Sequence, residues 1–383
     1  MSAVHEQHPN DINHISKENV TELETGLSRP SLESLGFDEW FEQKSKDSLK
    51  DGFSLARISE VNKSNYQVSD GRQEILAELS GKFLFNIENS IDYPTVGDWV
   101  VVQYFDDKSL AIIHHILPRK SLLKRKDPGK AVEHQLIAAN IDYALIVQSV
   151  DSNFNLNRLE RYFVMINESK IQPIVILSKT DLISEDELAK IGDSIKRFND
   201  KYVFLPISNI TDDGFERLQK ELQAGKTYCL LGSSGVGKTT LLNKLLGEQR
   251  FDVNEVREKD NKGRHTTARR QLVRLESGSI FIDTPGMKEL GNFAVDSGLD
   301  ETFDEIVSFG SQCRYKDCTH VHEEGCAVKD AVEQGIIDQD RYNNFLNIQK
   351  ESAYYAMSYL EKRKRDKSFG KMMKNYKKLM RKK

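Results

Sequence analysis

No run of about 18 apolar residues occurs anywhere in this 383-residue chain, so no hydrophobic helix long enough to cross a membrane is expected. The first residues lack an apolar core behind a basic start, and no signal peptide is expected. Cysteine is scarce, four in all, and three of the four fall close together. That is too few for a disulfide framework and suits a reducing, cytoplasmic compartment and a metal site. Internal repeats are missing, which argues against a solenoid or propeller. The length suggests two or three domains. A composition of 38% hydrophobic and 30% charged residues is that of an ordinary globular protein, expected here to be a monomer. Charge of one sign is lacking only on the whole-chain scale. The net charge of −4 hides residues 361–383, where twelve Lys/Arg stand against Glu361 and Asp366, an electrostatic footprint for a polyanion.

What is present is organised around Gly232-Ser233-Ser234-Gly235-Val236-Gly237-Lys238-Thr239. The apolar run Thr227–Leu231 before it reads as a strand, and Thr240–Leu246 after it has helical spacing and stops at Gly247. Strand, glycine loop and helix together define a phosphate site. Glycines allow successive N–H groups to face an anion, and the helix N-terminus adds partial positive charge. Lys238 is expected to reach the β- and γ-phosphates, and Thr239, with Thr240 beside it, opens the helix; the Thr239 hydroxyl can ligate Mg²⁺.

The base is indicated by Ser178-Lys179-Thr180-Asp181 at the end of a second apolar strand. A carboxylate at Asp181 accepts from both guanine N1–H and N2–H₂, and adenine lacks that donor pair. Lys179 would lay its stem along the base. Ser178 stands where Asn is usual, which predicts the loss of an amide that braces the phosphate loop. Ser208 and Asn209, after a third strand, resemble the weaker loop whose backbone meets the guanine oxygen, with Asn209 in place of Ala. Asp283-Thr284-Pro285-Gly286 matches D-x-x-G, in which Asp283 holds Mg²⁺ through water and the Gly286 N–H senses the γ-phosphate. A threonine of Gly263-Arg264-His265-Thr266-Thr267 should join the Mg²⁺ ligands, Thr267 ahead of Thr266. The guanine motif precedes the phosphate loop, so the domain is circularly permuted. After Gly286 comes Met287, whose thioether cannot orient water; His265 is the candidate for that task, with a structural or RNA-contacting role as its alternative.

Cys313-x4-Cys318-x-His320-x5-Cys326 offers three thiolates and an imidazole, a closed set suited to one structural Zn²⁺. His322 is an alternative ligand, and Cys229 reads as a packed core residue. Ahead of the phosphate-site domain, residues 51–118 show five short alternating strands separated by turn signals, as in an OB-fold barrel, though spacing alone also admits an SH3-like barrel. Leu35–Phe41 could pack as a short helix. The basic connector Pro118–Lys126 reads either as solvated linker or as an RNA contact. Residues 131–290 alternate strand and helix, which implies a parallel sheet covered on both faces.

These features in this order, with Ile137–Asp142 and Arg158-Leu159-Glu160-Arg161-Tyr162, resemble the ribosome small-subunit-dependent GTPase family (RsgA, also called YjeQ) over about residues 50–350. The resemblance implies an OB-fold barrel, a zinc-binding Cys/His cluster, and GTP hydrolysis to GDP stimulated by the 30S subunit late in its assembly. It implies contact with 16S rRNA and a hydrolytic role for His265. The expected organisation is multidomain: a largely disordered extension (1–50), an OB-fold RNA-binding β-barrel (51–118), a circularly permuted α/β P-loop GTPase domain (119–292), an α-helical zinc-binding domain (293–350) and a basic helix or tail (351–383). The rival reading is an RNA-binding assembly chaperone in which hydrolysis is incidental.

Overall fold

The computed structural model describes residues 29–62, 65–126, 134–198, 202–251, 270–283 and 297–357, with scattered positions from 361 to 373. Five strands come first: β1 (Ser54–Val61), β2 (Tyr66–Ser69), β3 (Glu74–Leu79), β4 (Trp99–Phe105), apolar on both faces at its start, and β5 (Leu110–Ile116). In β3, Ile75 and Ala77 point inward while Glu74, Leu76 and Glu78 point out. The strand order β1-β2-β3-β5-β4 closes through a β4–β1 pairing. β3 and β5 run parallel, and the other neighbours run antiparallel. That pairing makes the barrel an OB-fold and removes the SH3-like alternative. Ala56, Ile58, Val68, Ile75, Val100, Val102 and Ile113 fill it.

Residues 29–50, expected to lie in a largely disordered extension, are folded onto the barrel. Asp38 caps a helix at Glu39–Ser45 by accepting the Phe41 N–H. Leu32, Leu35 and Phe41 cover Trp99, Val101 and Leu117 on the outside of the barrel. The helix begins later than the run Leu35–Phe41 suggests, because it is Asp38 that satisfies its first free N–H groups. Residues 1–28 lie outside the described residues.

The central domain is a parallel sheet in the order β10 (Val203–Pro206), β9 (Gln172–Ser178), β8 (Tyr143–Ser149), β11 (Thr227–Leu231) and β13 (Ile280–Asp283). β12 (Arg270–Arg274) lies antiparallel beside β13. Helices Leu156–Glu168 and Glu185–Phe198 pack on one face, with Leu159, Phe163 and Ile195 in the core. Helices Phe215–Glu221 and Lys238–Leu246 cover the other face through Leu218 and Leu241. β1 of the barrel pairs with β12 at Glu60↔Gln271 and Val61↔Arg270, so barrel and central domain share one 11-stranded sheet. The basic connector is more than linker: Leu122–Lys126 forms β6, a hairpin partner of β7 (His134–Ala139).

C-terminal to this lie helices Ser297–Thr302, Asp304–Gly310, Ala327–Glu333 and Gln339–Ala356. Leu299, Phe303, Ile306, Val328 and Phe345 form their core, into which Val164 of the central domain also packs. Arg341, 6% exposed, bonds Glu160 across the domain junction at 2.5 Å, and it also bonds Glu305 and the Thr302 carbonyl. Asn344 donates to the other oxygen of Glu160. Of the basic helix or tail expected over Glu351–Lys383, the first residues continue the helix Gln339–Ala356; most of the chain beyond Met357 lies outside the described residues.

Arg57 of β1 is the point where three segments meet. It is 1% exposed, and its guanidinium donates to the carbonyls of Leu35, Gly97 and Asn140. It also stands over the Trp99 ring, 5.6 Å from the centroid. Burial draws its pKa down to about 10, against the opposing pull of Asp142 and Asp98. Arg57→Met, which keeps the bulk but orphans the Leu35 and Asn140 carbonyls while Gly97 keeps its bond from Asn140 Nδ2, should lower the free energy of unfolding by about 3 kcal/mol in a urea titration.

Candidate functional site

The carboxyl ends of β8, β9, β10, β11 and β13 share one edge, the crevice in which open α/β sheets take ligands. At its centre β11 gives way to the glycine loop. Gly232, Gly235 and Gly237 have φ of 145°, 79° and 92°. A Cβ on Gly232 would sit 2.3 Å from the Val147 carbonyl oxygen, so neither the conformation nor the space allows a side chain. Ser234 and Gly235 are exposed at the tip, and Val236 is buried beneath them. The loop enters helix Lys238–Leu246, with Thr239 and Thr240 in its first turn and Gly247 closing it at φ 72°. The first N–H groups of that helix have no intrahelical acceptor. Lys238 Nζ curls over the loop onto the carbonyls of Gly232 (2.7 Å) and Ser233 (2.6 Å).

The guanine motif lies beside this loop. Ser178 is buried and donates its hydroxyl to the Val236 carbonyl at 2.7 Å. The brace expected to vanish with the usual Asn is therefore present: a short side chain suffices because β9 brings its backbone close. Lys179 adopts a left-handed conformation (φ 62°) and pairs with Asp151 at 2.9 Å. Burial opposes ionisation of Asp151, but bonds from Lys179 and Ser149 prevail and hold its carboxyl below the usual range. The Thr180 N–H donates to the Ile207 carbonyl, tying the two base loops together. Asp181 is exposed, and its Oδ1 accepts the Ser208 hydroxyl at 2.6 Å. Asn209 Nδ2 faces the Gly237 carbonyl at 3.3 Å. Segments 178–181, 208–209 and 232–239 thus form one cluster.

Three contributors escape a reading of the sequence. Asn153 Nδ2 donates to Ser233 Oγ at 3.1 Å, Asp151 anchors Lys179, and the Tyr162 hydroxyl accepts from the Gly232 backbone. Asp151 and Asn153 follow a buried strand at the same sheet edge, which is a usable signal; Tyr162 looks like any core aromatic.

Asp283 ends β13, where burial raises its carboxyl from 3.8 to about 6. A carboxylate in that setting gains most from a cation. His265, Thr266, Thr267, Gly286 and Met287 lie outside the described residues.

A second centre lies in the helical domain. The ligand atoms of Cys313, Cys318, His320 and Cys326 lie within 4.8 Å of one another, a group that could hold a metal ion. His320 Nδ1 lies 3.6 Å from Cys313 Sγ and 3.4 Å from Cys326 Sγ. Burial works against a thiolate at Cys313, but the N–H groups of Val328 and Ala327 at a helix start outweigh it and lower its pKa. Glu323 accepts from the Thr319, Val321 and His322 backbones, fixing the turn that presents His320. His322 is exposed and outside the cluster, so it is not a fourth ligand. Cys229, in β11, is fully buried as expected of a core residue.

An OB-fold barrel, a P-loop with a guanine motif preceding it in sequence, and a C-terminal Cys/His cluster define a circularly permuted GTPase. The chain belongs to the RsgA GTPase family, whose model matches residues 116–293. It is 35% identical over 344 residues to the small ribosomal subunit biogenesis GTPase RsgA 2 of Vibrio parahaemolyticus, covering 90% of this chain and 92% of that one. It is 38% identical over 336 residues to RsgA of Opitutus terrae, covering 85% and 91%. Its fold matches the crystal structure of YjeQ from Thermotoga maritima with a TM-score of 0.60 and 28% identity, over 79% of this chain and 99% of that one. YloQ, described as a circularly permuted GTPase, matches with a TM-score of 0.58 and 27% identity, over 79% and 95%. The protein is therefore a GTP-hydrolysing enzyme, which works on a nucleotide carried with a divalent cation.

The raised pKa of Asp283 gives a testable sign. Its folded value of about 6 lies above the unfolded 3.8, so its contribution to stability is complete below pH 3.8 and is lost as pH rises through about 6. Nucleotide-free Asp283→Asn should show less loss of stability than wild type between those pH values in chemical denaturation. Wild-type cation binding should weaken below about pH 6.

Proposed function

We propose that this chain hydrolyses GTP to GDP and phosphate as a late checkpoint in maturation of the small ribosomal (30S) subunit, which stimulates the reaction, and that it leaves the subunit after hydrolysis. The observation that carries the guanine assignment is Asp181, held by the Ser208 hydroxyl in the same crevice as the glycine loop. The names of the relatives support the ribosomal partner. In this reading Asp181 accepts guanine N1–H and N2–H₂, while Ser178, Lys179, Thr180, Ser208 and Asn209 frame the base. The N–H groups of Gly232 through Thr240 and the Lys238 ammonium hold the β- and γ-phosphates. Thr239, Thr267 and Asp283 would hold Mg²⁺, and the chemistry it would supply is neutralisation of charge on the phosphate oxygens. The Gly286 N–H reports the γ-phosphate. His265 orients the attacking water, since Met287 stands where a water-orienting side chain would be needed.

Cys313, Cys318, His320 and Cys326 are proposed to hold one structural Zn²⁺. Bonds of about 2.3 Å to sulfur and 2.0–2.1 Å to nitrogen put ligand edges at roughly 3.5–3.8 Å in a tetrahedron, and the Cys313–Cys326 separation is 3.9 Å. The barrel (51–118), the metal domain (293–350) and the basic tail (351–383) flank the GTPase domain (119–292) and grip 16S rRNA mainly through its phosphates. The protein acts as a cytoplasmic monomer without a membrane partner; among the described residues no helix is long and apolar enough to span one.

GTP turnover measured with and without purified 30S subunits tests the reading. Strong stimulation is expected, and His265→Ala should abolish it while leaving nucleotide affinity within about twofold. Lack of stimulation overturns the ribosomal assignment. Equal 30S affinity with GDP and with a non-hydrolysable GTP analogue would favour the assembly-chaperone reading. Elemental analysis should find one zinc per chain, lost in Cys326→Ser together with helical circular dichroism from the C-terminal domain.

A further inference from the structure

The two loops that frame the guanine site each touch a different peptide unit of the glycine loop. In a trans peptide the C=O and the following N–H point in opposite directions. Holding a carbonyl on one side therefore aims the next N–H to the other. Ser178 Oγ holds the Val236 carbonyl at 2.7 Å, which aims the Gly237 N–H. Asn209 Nδ2 holds the Gly237 carbonyl at 3.3 Å, which aims the Lys238 N–H at the start of the helix. We propose that Asn209 is a positioning residue of the nucleotide site, turning the Gly237–Lys238 peptide so that the Lys238 N–H faces the phosphates. The proposal rests on the reading of residues 232–239 as the GTP phosphate loop.

By sequence, Asn209 is only an odd substitute for Ala in a weak motif, and Ser178 a lost brace. Together the two side chains hold the carbonyls of adjacent residues of the loop. The loop bearing Asn209 is itself anchored. Ser208 Oγ accepts the N–H groups of Ile210 and Thr211. Lys244, on the phosphate-loop helix, donates to the Asn209 carbonyl at 3.2 Å and pairs with Asp212. The brace is thus fixed at both ends. The amide orientation follows from its partner, because the reverse would set two oxygens face to face. That orientation leaves Asn209 Oδ1 buried with no partner among the described residues. An unmet buried acceptor costs stability. The side chain is therefore not explained by fold stability, and its effect should appear in nucleotide binding.

The test uses the full chain and a fluorescent GDP analogue, with wild type, Asn209→Ala and Asn209→Leu. Leu keeps the bulk and removes the donor. Both variants should bind about three- to tenfold more weakly, the range one hydrogen bond supplies, through faster dissociation. Their nucleotide-free melting midpoints should stay within about 2 °C of wild type. Wild-type dissociation rates in either variant would overturn the proposal. So would restoration by Leu alone, which would make the role one of packing. A midpoint loss above about 4 °C with unchanged dissociation would make Asn209 a structural residue. If wild type itself fails to bind the analogue, the phosphate-loop reading fails instead; where wild type binds, loss of binding in Asp181→Ala shows that the signal comes from this site.

Discussion

A buried guanidinium with three backbone acceptors holds the N-terminal half of this protein together. Arg57 belongs to the barrel, Leu35 to the N-terminal segment and Asn140 to the start of the central domain. Charge in the interior is costly unless it is hydrogen-bonded, so these three bonds favour one relative placement of all three segments. The shared sheet works in the same direction. β1 is both a barrel strand and the neighbour of β12, so the barrel cannot rotate against the central domain without breaking main-chain hydrogen bonds. Whatever the barrel contacts is in that way rigidly referred to the nucleotide crevice.

A second junction ties the helical domain to the same crevice. Arg341 and Asn344 both engage Glu160, on the same helix as Tyr162, whose hydroxyl accepts from the first glycine of the phosphate loop. Glu160 is 1% exposed, and burial raises its pKa despite the facing Arg341. A buried pair of this kind is weak evidence for stability, but losing Arg341 would leave the Glu160 carboxylate buried without its cation, whereas Arg341 without Glu160 would keep Glu305. The permuted order adds a covalent route, since the chain leaving Asp283 enters the helical domain at Ser297. The helical domain that carries the Cys/His cluster, one helix of the central domain and the phosphate loop are thus connected through packed groups and through the chain itself.

Much of this is legible in the sequence for definite reasons. Buried parallel strands such as β8 and β9 are continuous apolar runs, and the helix Leu156–Glu168 shows its period directly. Positive φ and close approach restrict Gly232 and Gly237 to glycine, so the phosphate loop announces itself. Cysteine and histidine are rare enough that four within a short polar stretch imply a shared ion. The departures are also physical. Residues 29–50 are polar enough to read as unfolded, yet Leu32, Leu35 and Phe41 find an apolar surface on β4 that no local pattern reveals. Ser178 reads as a deficiency because a motif records residue types and not the distance between backbones.

The sequence by itself determined the elements, the chemistry of the loops and the permuted order, since each depends on local propensity, side-chain chemistry or chain direction. Only the tertiary structure decided which barrel forms, because β3–β5 pairing is a contact between strands distant in the chain. It alone decided that His320 and not His322 faces the thiolates, where a left-handed residue and the turn pinned by Glu323 set the direction of the ring. And it alone decided that Ser178 and Asn209 reach neighbouring peptides of the phosphate loop. Such contacts depend on distances that only the packed sheet sets.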